Sequence, residues 1–149
     1  MIKGHVLKII NIVFPAIGIG LMIFYDVCET GCSSLQGTFM GLKLKVIGII
    51  FMVVLLVLSL PPGGRNADFV RRLRMILLSG ALGGETVLVR FQAVQDVYCY
   101  FCLAFGLCIL ILFVANFTKV DRYWVLGGFL SGIAAFAIFF EGSVLPLYR

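Results

Sequence analysis

The sequence predicts an all-α integral membrane protein of five transmembrane helices, forming a single membrane domain over residues 1–149. Three observations predict it. The chain is 62% hydrophobic and only 13% charged, far beyond the apolar share of a soluble domain. Its apolar residues fall into five long runs; a spanning helix needs about 20 residues, so little length is left for a soluble module. Its basic residues gather at the ends of those runs, where they act as topology signals. No basic face is formed, so the net charge of +5 does not argue for nucleic acid.

Lys3 and Lys8 precede the first run, residues 9–25. Tyr25-Asp26-Val27 lacks the small residues that signal-peptide cleavage requires, so the run reads as an uncleaved helix, with Pro15 a candidate kink. A polar loop over residues 26–45 carries Cys28 and Cys32, and Gly37 and Gly41 suggest that it folds back onto the membrane. The second span, 42–60, is stopped by Pro61-Pro62-Gly63-Gly64. Arg65, Arg71, Arg72 and Arg74 form the densest positive cluster and mark a cytoplasmic loop. The third span, 75–95, is less apolar because it contains Glu85, Arg90 and Gln92. The fourth, 99–117, is uncharged and is followed by Lys119 and Arg122; the fifth, 123–140, opens with Tyr123 and Trp124 at an interface, and a short tail ends at Arg149.

Placing the basic clusters inside yields one consistent topology. The N-terminus is cytoplasmic, the Cys28/Cys32 loop and the bend at Cys99 are outside, and the C-terminus is outside; only Lys43 and Lys45 run against the rule. Four of the five cysteines then share the oxidising face of the membrane. Cys99 and Cys102 form a CxxC where a polar bend enters the fourth helix. In a first helical turn their Cα atoms would lie about 5–6 Å apart, within reach of a disulfide. The helix amino end favours a thiolate there, and a loop pair beside a helix-end pair supplies an exchange relay. Rival readings are a four-cysteine zinc site, two static disulfides, or thiols that bind a soft metal in a carrier or non-catalytic subunit. Cys108 lies deep in an apolar run and reads as a packing residue. His5 is the one histidine, which excludes a bis-histidine haem within this chain, and no CxxCH or Gly-rich phosphate loop occurs.

Cys28 and Cys32 followed by Ser33-Ser34, Gly41 leading into the second helix, and Asp96-Val97-Tyr98-Cys99-Tyr100-Phe101-Cys102-Leu103 opening the fourth resemble the vitamin K epoxide reductase family, in its bacterial disulfide-forming, quinone-reducing branch. The resemblance implies a four-helix bundle around a quinone, ubiquinone or menaquinone, with the fifth helix outside it, in the cell's inner (plasma) membrane. It further implies that Cys28 exchanges with an extracytoplasmic thioredoxin-like partner, that Cys32 passes electrons to Cys99, and that Cys102 faces the quinone and forms the charge-transfer species with it. Ser33, Ser34 and Thr38 would lie near the loop pair. Three features depart from the family pattern: the loop cysteines are only three residues apart, Gly106 stands where some members carry a tyrosine for the quinone oxygen, and no thioredoxin-like domain follows the fifth helix, so the partner is expected in trans.

Glu85 lies near mid-span, where an ionisable group usually faces protein or water. Quinone reduction consumes two protons, so a proton path through Glu85 is one reading. Pairing with Arg90 or with another subunit, fixing helix packing, is the preferred one, with Arg90 snorkelling outward. Asp96 either tunes Cys99 or caps the fourth helix. The expected function is a quinone-dependent thiol–disulfide oxidoreductase.

Overall fold

The computed structural model describes residues 4–27, 35–60, 67–117 and 122–144. Five helices dominate: α1 (Gly4–Val27), α2 (Leu44–Val57), α3 (Ala67–Gln95), α4 (Tyr100–Asn116) and α5 (Arg122–Phe139). Three short strands accompany them, β1 (Leu35–Phe39), β2 (Leu42–Lys43) and β3 (Phe140–Val144), joined antiparallel in the order β2-β1-β3. The described residues are mostly helical, with five helices as expected, and this small sheet is an addition that the sequence did not announce. β1 and β2 form a hairpin whose two turn residues, Met40 (φ 53°) and Gly41 (φ 80°), both take positive φ, the geometry that matches the natural twist of paired strands. β3 pairs with β1 from Leu35↔Val144 to Phe39↔Phe140.

Helix bounds also shift. Three of the four clustered arginines are helical: α3 begins at Ala67, with Asp68 in its first turn, and takes in Arg71, Arg72 and Arg74, while Arg65 lies outside the described residues. Arginine is a good helix former, and Arg71 and Arg72 stay exposed while Met75 and Leu78 are buried, so the polar turns simply extend an amphipathic helix. α1 starts before its predicted residue 9, and α2 is only 14 residues long. Gly4–Tyr25 and Arg122–Phe139 are long and apolar enough to cross a membrane, while α2 and α4 are apolar but shorter.

Helices α1 to α4 share one core, built on Met22, Met52, Leu55, Leu78, Phe105, Ile109 and Leu112. Polar side chains tie the same four segments together at one end. Asn11 of α1 and Asn116 of α4 exchange amide hydrogen bonds of 3.2 and 2.7 Å. Arg74 of α3 donates to Asn116 Oδ1 at 3.4 Å and to Ser59 Oγ, just past α2, at 2.8 Å. Ser59 Oγ also lies 2.9 Å from the Asn11 carbonyl. At the opposite end lie the sheet, the α3–α4 turn and the last turn of α1. There Tyr25 meets Phe101 edge to face (6.2 Å), and Phe91 of α3 meets Phe140 of β3 (5.4 Å).

α5 packs on α3 through close glycine contacts: Gly80 faces Gly128 and Gly132, and Gly84 receives the ring of Phe136. A Cβ on Gly132 would overlap the Gly80 carbonyl, one on Gly83 would overlap the Phe129 carbonyl, and one on Gly128 would overlap the Ser79 hydroxyl. Close backbone approach of this kind is what small-xxx-small spacing provides among apolar helices. Gly132→Leu is therefore expected to lower the thermal midpoint and expose α5 to protease, at a cost of about 1–3 kcal/mol or more. Gly127→Leu, on a face with nothing within 4 Å of a Cβ, should leave both unchanged. Equal behaviour of the two variants in a melt with limited proteolysis would contradict the packing.

Candidate active site

The site begins where α3 stops. Asp96 takes a positive φ of 52°, and the Val97 N–H donates back to the Gln92 carbonyl at 3.1 Å, a Schellman-type ending in which aspartate tolerates the left-handed conformation. The Gln92 side chain then holds the next stretch: its Oε1 accepts the Cys99 N–H at 2.9 Å. Gln92 is 1% exposed, and its Nε2 is buried without a partner among the described residues. One glutamine thus fixes both ends of the turn.

Cys99 is extended (φ −98°, ψ 107°) and caps α4. Its Sγ accepts the Cys102 N–H at 3.5 Å, and its carbonyl accepts the first helical N–H, that of Leu103, at 3.0 Å. The capping reading of Asp96 is thereby corrected: Asp96 closes α3, and a cysteine opens α4. Both thiols are free, Cys99 buried at 2% exposure and Cys102 half-buried. Cys99 precedes the first residue of α4. Its thiol is pulled down from the ordinary range to about 6 by the hydrogen bond with the Cys102 thiol and by the N–H groups of Cys102 and Phe101, against the opposing effect of burial.

Cys102, one turn on, lines a cavity of about 430 Å³. Met22 of α1, Gly48 and Phe51 of α2, Ala81, Glu85 and Leu88 of α3, and Phe105 and Ile109 of α4 share the wall. Ser131, Gly132, Ala135 and Phe136 of α5 complete it. The fifth helix is thus not outside the cavity, because the glycine contacts bring it close enough to α3 to form one side. Apolar walls with a few polar groups are what a drug-sized planar ligand requires. The lining fits a quinone in kind, with apolar surface for the ring and a carboxyl for its oxygens.

Sequence-predicted residues fall as follows. Cys99 and Cys102 are brought together; Cys28, Cys32, Ser33 and Ser34 lie outside the described residues. Thr38 lies in β1, where its hydroxyl is 3.5 Å from the Glu141 carbonyl of β3. Cys108 is buried in the core. Glu85 does not pair with Arg90. Five residues along a helix is about 140° of rotation, so Arg90 is exposed while Glu85 Oε2 is buried without a partner among the described residues. Sequence reasoning missed Gln92 as a site residue, although a glutamine near the end of an apolar helix, seven residues before the CxxC, was a signal.

A dithiol at the head of a helix, with one sulfur on an apolar cavity, is an arrangement suited to thiol–disulfide exchange beside an apolar ligand. The model of the vitamin K epoxide reductase family matches residues 25–117, more than half of the chain, and the chain belongs to that family. It is accordingly a membrane oxidoreductase of thiol–disulfide and quinone-related chemistry. The match includes all four candidate cysteines and ends one residue past α4, so α5 and β3 lie beyond it. No curated protein sequence matches the chain.

With Cys28, Cys32 and Cys108 replaced by alanine, thiolate ultraviolet absorbance should grow in as pH rises through about 6. Adding Cys102→Ala removes the largest cause and should move that transition up toward about 8.5, the ordinary thiol value. An unchanged transition would contradict the assignment.

Proposed function

We propose that the chain is a five-span oxidoreductase of the inner membrane that oxidises an extracytoplasmic thioredoxin-like partner in trans. Two electrons pass through Cys28 and Cys32, then Cys99 and Cys102, to a quinone. The N-terminus is cytoplasmic and the C-terminus outside. The observation that carries the reading is Cys102 on the wall of the apolar cavity with Cys99 beside it at the helix cap. Support for five spans comes from the alternation of the helices and from the residues flanking α2, which bring the apolar stretch 42–60 to spanning length.

In this account Cys28 meets the partner thiol. With Cys28–Cys32 and Cys99–Cys102 each oxidised, the partner thiolate attacks Cys28 and releases Cys32. The Cys32 thiolate attacks Cys99 in line with its bond to Cys102, which leaves as a thiolate. The partner's second thiol and Cys28 then resolve the two mixed disulfides, leaving Cys99 and Cys102 as the dithiol. The helix amino end favours the thiolate of Cys99, and Gln92 holds its backbone at the cap of α4. A bound quinone supplies the two-electron acceptor. Phe51, Phe105 and Phe136 exclude water around it, and Cys102 holds the sulfur nearest the acceptor. Over one cycle the partner dithiol loses two electrons and two protons as its disulfide forms, and the acceptor gains both.

The test is quinone reduction by the purified, lipid-reconstituted chain with a reduced thioredoxin-like donor. Wild type should turn over, and Cys102→Ala should fall to the uncatalysed background. No reduction with any quinone, together with a soft metal bound in stoichiometric amount, would replace this reading with that of a metal-binding carrier.

A further inference from the structure

Among the described residues, the wall of the cavity carries one ionisable side chain besides the cysteine, Glu85 of α3. Its Oε2 is buried and has no hydrogen-bond partner among the described residues. A buried polar atom left unpaired is destabilising, more so when charged, so a group kept in that state invites a role that needs it free. An ionised carboxylate there would lack donor and counter-ion alike, and the neutral acid is the form the site accommodates.

α4 is cut away to admit the carboxyl. A Cβ on Gly106 would stand 3.0 Å from Glu85 Oε2, so the glycine leaves the space that the acid fills. The carboxyl also lines a second hollow of about 390 Å³ between α3 and α4, with Thr86, Gly106 and Leu107. Glu85 therefore sits in the α3–α4 seam, on the wall of the cavity that Cys102 also lines.

We propose that Glu85 is a catalytic proton carrier: its carboxylic acid gives a proton to the acceptor's oxygen and recovers one from the Cys99/Cys102 pair. This rests on the oxidoreductase reading above. The balance closes. The dithiol gives up two electrons and two protons as the sulfur–sulfur bond forms, the quinone takes up two of each, and Glu85 ends the cycle as it began.

Two measurements test it. In the quinone-free protein, infrared spectroscopy should show the carbonyl absorption of a protonated carboxyl that is absent in Glu85→Gln and shifted in Gly106→Ala, which keeps the acid but crowds it. In reconstituted membranes Glu85→Gln, which keeps the size but cannot yield a proton, should reduce quinone about 100-fold more slowly or worse, the loss expected for a missing general acid. Should that variant fail to fold, Gly106→Ala carries the test, with a several-fold loss expected. An active wild type with Glu85→Gln within about two-fold of it, or no carboxyl absorption assignable to Glu85, overturns this inference alone. A wild type that reduces no quinone overturns the oxidoreductase reading and this inference with it.

Discussion

Two hydrogen bonds to one side chain and its own carbonyl set the geometry of the site. Gln92 receives the Val97 N–H on its backbone and the Cys99 N–H on its amide oxygen, so the chain must reverse within four residues and enter α4 with Cys99 extended at the cap. Once Cys99 is there, helical geometry places Cys102 one turn on and over the cavity. The proposed exchange uses two sulfurs in that relation, and the buried glutamine holds the first of them at the cap. Its cost is a buried Nε2 without a partner among the described residues.

Elsewhere polar groups are spent sparingly and at the ends. Asn11, Ser59, Arg74 and Asn116 satisfy one another and join four segments at the end remote from the thiols. Among apolar helices such bonds give specificity where burial of apolar surface discriminates little. At the thiol end a small sheet does the joining, with β3 returning from α5 to pair with β1 beside the aromatic contacts of Phe91, Phe136 and Phe140. Among the described residues the interior between the two ends is apolar apart from Glu85, the thiols of Cys102 and Cys108, and the hydroxyls. That contrast makes the lone carboxyl conspicuous.

Much of this was legible in the sequence because it depends on short-range signals. Long apolar runs announced the five helices, and the spacing of Cys99 and Cys102 announced a pair at a helix head. What escaped were pairings between distant segments. β1 is five residues long and its partner β3 lies about a hundred residues later, so neither strand carries a recognisable alternation of its own. The glycines of α3 and α5 are each ordinary until they face one another. The arginines after residue 67 look like a loop in a charge count, yet they form the first turns of α3, and Arg74 points into the polar cluster. Glu85 was visible as an intramembrane charge, but pairing it with Arg90 ignored the rotation of a helix over five residues.

The central claim is that the cavity beside Cys102, walled by α5 as well as by the other helices, receives the quinone. Photoaffinity labelling of the chain in lipid with an azido-quinone, read out by peptide mass spectrometry, tests it most directly. The account predicts labels on Phe51, Ala81 and Phe136, which line that cavity, suppressed by excess unlabelled quinone. Suppressible labels confined to Val89, Leu107 and Leu110, in the hollow on the other side of Glu85, would contradict it.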